Sequence, residues 1–377
     1  MSMHIPFYSS TREYHARKAE FDAAVQGVME RGDFILGGEV AEFEREAAAW
    51  LGAKYAVGLA SGSDALVLGS DILGFRDGAE VLTPTFTFFA STSCVARLGG
   101  KPILVDMDEE TLNMDLADAA RRMTRSTKGI IPVHLFQQAT PLQGVMDLAR
   151  STGLKVLEDA AEAWGMESVV DGAWRKAGTV GDIGIYSFFP TKTLGGYGDS
   201  GLAVTDDEEL YKKLKSYRVH GSSVKYQHDY IGYNSRLDTM QAAILRVKLR
   251  TTDLAIAARA RHAAHYSARL SGLPGVRVPK VAACNKPVSY VFNILLDGRD
   301  ALAARFKEKD IGYSIYYPKP LHLQKCFAYL GYKEGDFPVA ESVAKRIIAL
   351  PIYPELTDNE VDVVCDEIAG FVRGRGL

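Results

Sequence analysis

A lysine in a segment rich in small residues is the best candidate for covalent chemistry in this sequence. Lys192 follows Ser187 and the residues Phe-Phe-Pro-Thr, and it precedes the glycine-rich run 193–201. A lysine confined in such a loop can lose its proton through desolvation or a neighbouring cation, and its free amine can then form a Schiff base with a carbonyl group. A lone lysine is more often exposed to solvent, so the neighbouring residues decide between the two interpretations.

Two further segments carry groups that could hold a charged ligand. Asp159 follows the apolar run 155–157, and ligands of α/β sheets bind at the carboxyl ends of strands, so Asp159 is placed to meet a cationic ring nitrogen. The small-residue turn 60–66 precedes a helix, whose free N–H groups together with the Ser63 hydroxyl could bind a phosphate. Each signal is weak alone, because serine N-caps and acidic first turns are common in helices.

The glycines at 196, 198 and 201 match the spacing of a dinucleotide-binding loop, but their context is wrong. That fingerprint follows a strand and opens a helix, whereas these glycines follow Lys192 and lead into the strand-like run 201–205. A nicotinamide-dependent oxidoreductase therefore stays only an alternative from a different class of enzyme.

Helix-period and apolar segments alternate between about residues 17 and 250, which is typical of βα units around a mostly parallel sheet. Helical spacing of apolar residues occurs over 21–29, 40–50 and 237–249. Most of the predicted strands are continuous apolar runs, as expected for strands covered on both faces. These strands are 55–60, 80–83, 102–106, 129–133, 155–158, 183–188 and 201–205.

The pattern changes beyond about residue 255 and indicates a smaller α+β domain. The elements predicted there are a helix at 256–270, a strand at 290–296, a helix from 301, a strand at 313–316 and a closing helix over 361–371. We predict an α/β protein with a large domain over 1–254 and a small C-terminal domain over 255–377.

Composition is that of an ordinary globular protein. Of the 377 residues, 47% are hydrophobic and 24% are charged, and 44 Lys and Arg against 47 Asp and Glu give a formal net charge of −3. This balance argues against binding to nucleic acid or to an anionic membrane. The sequence has neither a signal-type segment nor an apolar run of roughly 20 residues. Its four cysteines lie far apart, so we predict a cytoplasmic protein without a metal site.

Five motifs in order resemble those of the DegT/DnrJ/StrS-type nucleotide-sugar aminotransferases. They are SGSDAL at 61–66, TFFAS at 87–91, EDAAEA at 158–163, SFFPTK at 187–192 and GYNSRLD at 232–238. The resemblance runs from about residue 33 to residue 354. It implies fold type I of the transferases that depend on pyridoxal phosphate (PLP), which is the aspartate aminotransferase fold, and PLP as the cofactor.

The resemblance also implies the roles of individual residues. Two residues would be catalytic, because Lys192 forms the Schiff base with PLP and Asp159 pairs with the ring nitrogen. The implied cofactor-binding residues are Phe88 on the ring, Ser187 with the Gly62 and Ser63 amides on the phosphate, Glu162 near the ring hydroxyl, and Asn234, which reaches the cofactor of the partner subunit in an obligatory homodimer. Glu162 stands where the family usually has Gln or His, and Gln137 stands where it usually has Gly.

The substrate implied by the resemblance is a nucleotide-linked keto sugar, with L-glutamate as the amino donor. The motifs around Lys192 and over 316–324 look more like members that aminate C3 than like those that aminate C4. The nucleotide and the sugar stay open, and the product would serve a lipopolysaccharide or an antibiotic. Arg236 or Lys319 could supply a second cation for a uronate. Substrate-binding candidates are His220, Lys225, Tyr226, Arg236, Tyr317 and His322.

Several alternatives remain open within this fold. One is an aminotransferase that acts on a 4-keto nucleotide sugar. Another is a PLP-dependent sugar dehydratase, against which Lys192 argues because those enzymes have His at that position. A third is a regulatory protein that retains the fold without turnover.

Overall fold

The computed structural model describes residues 4–374, and its larger part is built on one central sheet. The strands of this part are β1 (Tyr55–Leu59), β2 (Glu80–Pro84), β3 (Lys101–Val105), β4 (Thr127–Ile130), β5 (Lys155–Asp159), β6 (Glu167–Val170), β7 (Ala173–Lys176), β8 (Ile183–Ser187), β9 (Gly201–Thr205), β10 (Ser222–Val224) and β11 (Gln227–His228). Its helices are α1 (Ser10–Ala16), α2 (Lys18–Arg31), α3 (Gly38–Leu51), α4 (Gly62–Ile72), α5 (Ala90–Arg97), α6 (Leu116–Arg122), α7 (Leu142–Thr152), α8 (Glu208–Tyr217) and α9 (Thr239–Leu249).

The central sheet has seven strands in the order β1-β9-β8-β5-β4-β2-β3. The pairs from β8 to β3 are parallel, and only the pairs made by β9 are antiparallel. The predicted fold class is therefore confirmed. In the β5–β8 register, Asp159 lies opposite Ile185, so the carboxyl ends of these two strands meet at one edge of the sheet.

Helices cover both faces of this sheet. Helix α3 buries Val40, Phe43, Ala47 and Leu51, which is the three-and-four spacing of an amphipathic helix. Helix α4 begins after Ser61, whose hydroxyl accepts a hydrogen bond from the backbone N–H of Asp64 and so caps the helix. This cap fixes the direction in which the first turn of α4 points.

The C-terminal part forms a smaller α+β unit. Its elements are α10 (Thr252–Leu270), β12 (Val276–Arg277), β13 (Asn285–Lys286), β14 (Phe292–Leu296), α11 (Arg299–Glu308), two 3-10 helices (Leu321–Leu323 and Lys325–Leu330), α12 (Pro338–Arg346), β15 (Ile347–Leu350) and α13 (Asp358–Gly374). Strands β12, β14 and β15 form one antiparallel sheet. Helix α10 begins near the predicted boundary at 254 and 255, and this division stays a prediction.

Two features differ from the expectation. The strand predicted at 313–316 is wrong, because only Ser314 forms a bridge there, with Ala349 of β15. Ile5 pairs with Ile311 and is fully buried in the C-terminal core, so the start of the chain packs outside the part in which we expected it. Both differences arise from pairing between distant residues, which local patterns do not encode.

Residues 4–374 contain no helix that is long and apolar enough to cross a membrane. Over the same range, no group of three His, Cys, Asp or Glu side chains could hold a metal ion. All four cysteines are free thiols.

His322 is a buried histidine that links the two parts of the chain. Its Nδ1 lies 2.8 Å from Thr85 Oγ1, and its Nε2 lies 3.0 Å from Glu341 Oε1. Burial lowers the pKa of His322 below its usual value, and the Glu341 carboxylate opposes this shift. The native protein therefore keeps this ring neutral at a pH where an unfolded chain would begin to protonate it.

This burial predicts an acid-dependent loss of stability. The unfolded chain takes up a proton on this ring below about pH 6.5, so the free energy of unfolding should fall as the pH drops from 7 to 5. His322→Asn should reduce that slope by up to about 1.4 kcal/mol per pH unit, measured by urea denaturation. The exposed His15→Asn is the control and should keep the wild-type slope; equal slopes for His322→Asn and the wild type would contradict the prediction.

Candidate active site

A cavity of about 570 Å³ opens at the carboxyl edge of the central sheet. It brings together segments that lie far apart in the sequence: the start of α4, the end of β5, the end of β8 with the loop after it, and residues 315–317. Of the residues predicted from the sequence, the following line it: Gly62, Ser63, Phe88, Asp159, Glu162, Ser187, Lys192 and Tyr317.

The amine of Lys192 lies inside this cavity against a carboxylate and an aromatic ring. Its Nζ lies 3.3 Å from Glu162 Oε1 and 4.2 Å from the centre of the Tyr290 ring. Burial lowers the pKa of Lys192, but Tyr290, Glu162 and Asp159 together raise it by more, so the net shift is upward. In the protein alone this lysine is therefore an ammonium group with a carboxylate partner, and desolvation does not make it a free amine.

Asp159 is a buried carboxylate at the end of β5. Its Oδ2 accepts a 2.6 Å hydrogen bond from Ser91 Oγ, and its Oδ1 accepts one of 3.1 Å from the backbone N–H of Ala161. Burial raises the pKa of Asp159, against a smaller lowering by these donors and by the charge of Lys192. A cationic group placed in the cavity next to Asp159 would oppose this shift, because an opposite charge favours the ionised carboxylate.

Glu162 connects the lysine with a strained backbone segment. Its Oε2 accepts a 2.8 Å hydrogen bond from the backbone N–H of Phe136, which has a φ of 68°. A non-glycine residue rarely adopts such a conformation, so this hydrogen bond stabilises a costly turn. Both oxygens of Glu162 therefore have partners, one in the turn and one on Lys192.

The part of the cavity lined by the start of α4 and by Ser187 suits a phosphate group. Gly62 is the first residue of α4, where backbone N–H groups lack partners within the helix. A Cβ atom at Gly62 would lie 2.7 Å from the Cβ of Ser187, so only glycine leaves the Ser187 hydroxyl beside the helix terminus. A phosphate cradle and a lysine in one cavity with a buried carboxylate together fit PLP.

A second buried carboxylate holds the loops behind Asp159. Glu158 accepts hydrogen bonds from the backbone N–H groups of Gly178, Val180 and Gly181, and from His134 Nε2 at 2.9 Å. His134 Nδ1 accepts from the backbone N–H of Thr140, which places the ring proton on Nε2. Burial raises the pKa of Glu158, but His134 and the backbone donors lower it by more.

Two residues at the centre of this site, Ser91 and Tyr290, have no role predicted from the sequence. Ser91 belongs to the 87–91 motif, and a second hydroxyl residue, Thr87, stands four positions earlier in the sequence. This spacing is the signal that could have identified the pair, whose hydroxyl oxygens lie 3.1 Å apart. Tyr290 is the first residue of the strand predicted at 290–296, and nothing in the local sequence points to its contact with Lys192.

Other predicted site residues lie outside this cavity. Asn234 and Arg236 line a neighbouring cavity of about 430 Å³, and Asp199 lines both cavities. His220, Lys225 and Tyr226 lie at or near the exposed β10–β11 hairpin and do not line either cavity.

Two candidates from the segment after Tyr317 also lie elsewhere. Lys319 is exposed, and His322 is buried with both ring nitrogens in contact with protein groups. The substrate role expected for His322 does not agree with this placement, because a ring enclosed by Thr85 and Glu341 has no free nitrogen to offer.

Comparison with known proteins gives a consistent family. The sequence profile of the DegT/DnrJ/EryC1/StrS aminotransferase family matches residues 15–369. A "Pleiotropic regulatory protein" of Geobacillus stearothermophilus is 43% identical over 98% of this chain and 99% of its own length. A UDP-N-acetyl-3-dehydro-alpha-D-glucosamine 3-aminotransferase of Acidithiobacillus ferrooxidans is 38% identical over 98% of each chain.

A solved structure agrees in fold over almost the whole chain. DesV of S. venezuelae, in complex with a ketimine intermediate, superimposes with a TM-score of 0.94 at 36% identity and covers 98% of both chains.

Proposed function

The chain belongs to the DegT/DnrJ/EryC1/StrS aminotransferase family, and from this premise we propose that it transfers an amino group from L-glutamate to C3 of a nucleotide-linked 3-keto hexose. The observation that carries the proposal is that Lys192, Asp159, Gly62 and Ser187 line one cavity. PLP is the cofactor, and it supplies an electron sink for the negative charge that develops when the donor carbon loses its proton.

Asp159 would hold a proton on the ring nitrogen of the cofactor. Its carboxylate is buried and already oriented by Ser91 and Ala161, so it needs no rearrangement when a cation arrives. An ion pair in this water-poor cavity is stronger than one in solvent. We therefore assign Asp159 the task of keeping that nitrogen charged.

Lys192 would both hold the aldehyde end of the cofactor and move a proton. When its Nζ is free as an amine, it can take the proton from the donor carbon and deliver it to the carbon of the cofactor's aldehyde group. Glu162 Oε1, at 3.3 Å, can accept the proton that the ammonium must lose first. Phe88 lines the same cavity and is proposed to cover the face of the ring, and Ser63 and Ser187 are proposed to hold the phosphate.

The choice of C3 rests on relatives of known substrate. The A. ferrooxidans relative is named as a 3-aminotransferase of a UDP-linked 3-keto sugar, and its identity extends over nearly the entire chain. Tyr317, which also lines the cavity, is proposed to contact the sugar. The relatives' names do not agree on a nucleotide, so we leave the nucleotide unassigned.

A regulatory protein without turnover is the second candidate, since the G. stearothermophilus relative carries a regulatory name. Such a protein would have no need for a buried carboxylate and a lysine amine in one cavity. Membership in an aminotransferase family and this retained pair together favour the enzyme.

We also propose a homodimer in which Asn234 and Arg236 face the active site of the partner. Exposed apolar side chains surround this region, among them Ile35, which also lines the Asn234 cavity, and Ile231, which is 95% exposed. Uncovered apolar groups of this kind mark association surfaces. Tyr226, Lys225 and His220 on the adjacent hairpin are proposed to reach the partner's substrate. A cytoplasmic location, in keeping with the free thiols, completes the proposal.

The first prediction concerns the cofactor. Purified protein should absorb near roughly 400–420 nm through lysine-bound PLP, L-glutamate should bleach this band, and Lys192→Ala should abolish it. Asp159→Asn should keep the fold but lower kcat by about a hundredfold or more, because the ring nitrogen loses its charged partner. Asp147→Asn makes the same change on the exposed side of α7 and should act as wild type. Protein that stays colourless after incubation with PLP would contradict the assignment.

The second prediction concerns the sugar. Protein loaded with pyridoxamine phosphate should regain the absorbance band when it is mixed with a nucleotide-linked 3-keto hexose, because only a fitting ketone accepts the amino group. A panel of UDP-, dTDP- and GDP-linked 3-keto and 4-keto sugars, followed by stopped-flow absorbance, makes the measurement. Recovery with 4-keto sugars alone would reverse the assignment to C3.

The third prediction tests the shared site. Lys192→Ala and Asn234→Ala should each impair activity, yet an equal mixture of refolded subunits should recover roughly a quarter of the wild-type rate. Half of the dimers in such a mixture contain one subunit of each variant. In each of them, one of the two sites has an intact Lys192 from one subunit and an intact Asn234 from the other. If Asn234 served its own subunit, every site in the mixture would keep one substitution and no activity would return.

A further inference from the structure

Two hydroxyl groups near the start of α5 form a chain that ends at the Asp159 carboxylate. Ser91 Oγ lies 2.6 Å from Asp159 Oδ2, and Thr87 Oγ1 lies 3.1 Å from Ser91 Oγ. All three side chains line the active-site cavity, and none is more than 3% exposed. We propose that Thr87 and Ser91 are positioning residues, which act through Asp159 to keep the proton on the ring nitrogen of the cofactor. This proposal rests on the assignment of Asp159 to that nitrogen.

The direction of the chain follows from the number of protons in it. An ionised carboxylate only accepts hydrogen bonds, so Ser91 must donate to Asp159. The Ser91 hydroxyl carries a single proton, and its contact with Thr87 therefore requires Thr87 as the donor. The distance of 2.6 Å to Asp159 lies in the range for a hydroxyl bound to a charged oxygen. Because Thr87 polarises the Ser91 hydroxyl, both donors act in sequence on one carboxylate oxygen.

Burial makes this carboxylate sensitive to each donor. Burial raises the pKa of Asp159, and the largest opposing contribution comes from the Ser91 hydroxyl, ahead of the Ala161 N–H and the charges of Lys192 and His134. Without the Ser91 hydroxyl, the pKa of Asp159 would rise further, because its ionised form would lose a donor. A more basic Asp159 would draw the shared proton away from the ring nitrogen of a bound cofactor.

Other titratable groups near Asp159 do not replace these donors. Burial raises the pKa of the Cys94 thiol to about 12, and it raises the pKa of Tyr317 well above its usual value, so both groups stay neutral. The ring of His134 contacts Glu158 at 2.9 Å. Within residues 4–374, the one hydrogen bond to Asp159 Oδ2 therefore comes from a hydroxyl group.

The same helix offers a matched pair of hydroxyl groups that belongs to a different contact. Thr92 Oγ1 donates to Thr83 Oγ1 at 3.1 Å, and both side chains are fully buried. Thr92 follows Ser91 in α5, but it does not line the cavity. Thr92→Val therefore removes a buried hydroxyl at a cost to folding similar to that of Thr87→Val, and it leaves the chain to Asp159 intact.

The experiment loads the protein with PLP that carries nitrogen-15 in its ring and records the NMR resonance of this nitrogen, which moves with the position of the shared proton. Ser91→Ala should move the resonance toward that of an unprotonated ring and lower kcat about tenfold or more. Thr87→Val should move the resonance in the same direction by a smaller amount. Thr87→Ser retains the hydroxyl and should retain the wild-type resonance. Thr92→Val should match the wild type in both resonance and kcat.

Two results would overturn the proposal. One is a wild-type resonance in Ser91→Ala, and the other is the same resonance in Thr87→Val and Thr92→Val. If Ser91→Ala does not fold, Thr87→Val decides alone, since valine has nearly the shape of threonine. Asp159→Asn separates this proposal from the one on which it rests. An unchanged resonance in Asp159→Asn would contradict the assignment of Asp159 to the ring nitrogen, whereas a shift there without one in Ser91→Ala would refute only the role of the hydroxyl groups.

Discussion

The cost of burying charge at the carboxyl edge of the sheet is the constraint that organises this protein. Glu158 and Asp159 are consecutive carboxylates, 0% and 3% exposed, and an isolated carboxylate in such surroundings would be unfavourable by several kcal/mol. Hydrogen-bond donors that point at the two carboxylates offset this cost. Glu158 receives backbone N–H groups from the turn before β8, and Asp159 receives Ser91 and Ala161. The loops around the cavity are fixed because these donors must reach the two carboxylates.

Local sequence patterns predicted most of the strands of the central sheet and the residues at the centre of the site. Each predicted strand of the central sheet overlaps an observed one, since buried parallel strands appear as continuous apolar runs. The segment 313–316 lies along the edge strand β15, but it pairs with that strand only through the bridge between Ser314 and Ala349. Ile5 reaches the small unit through a long-range pairing. Neither outcome has a local signal, because both depend on competition between distant segments.

The two departures from the usual family pattern turn out to be neighbours. Gln137 replaces the usual glycine, yet the left-handed conformation falls on Phe136, and the Gln137 side chain donates to the carbonyl oxygen of Pro279. Phe136 in turn donates to Glu162 and accepts from the backbone N–H of Tyr290, whose ring covers Lys192. A carboxylate at 162 can hold this turn with one oxygen and the lysine with the other. With Gln at position 162, the same two contacts would require a single amide oxygen to accept both hydrogen bonds.

The proton on Lys192 is the consequence with most bearing on the chemistry. Confinement alone would favour a free amine, but Tyr290, Glu162 and Asp159 together outweigh the effect of burial and raise the pKa of the lysine. The protein therefore stores an ammonium group where a nucleophile is required. A cationic ring nitrogen beside Asp159 would neutralise one of the two carboxylates that retain this proton, which leaves Glu162 as the nearest acceptor. A cation bound beside Asp159 would thus lower the cost of deprotonating Lys192 in the same cavity, with no movement of the backbone.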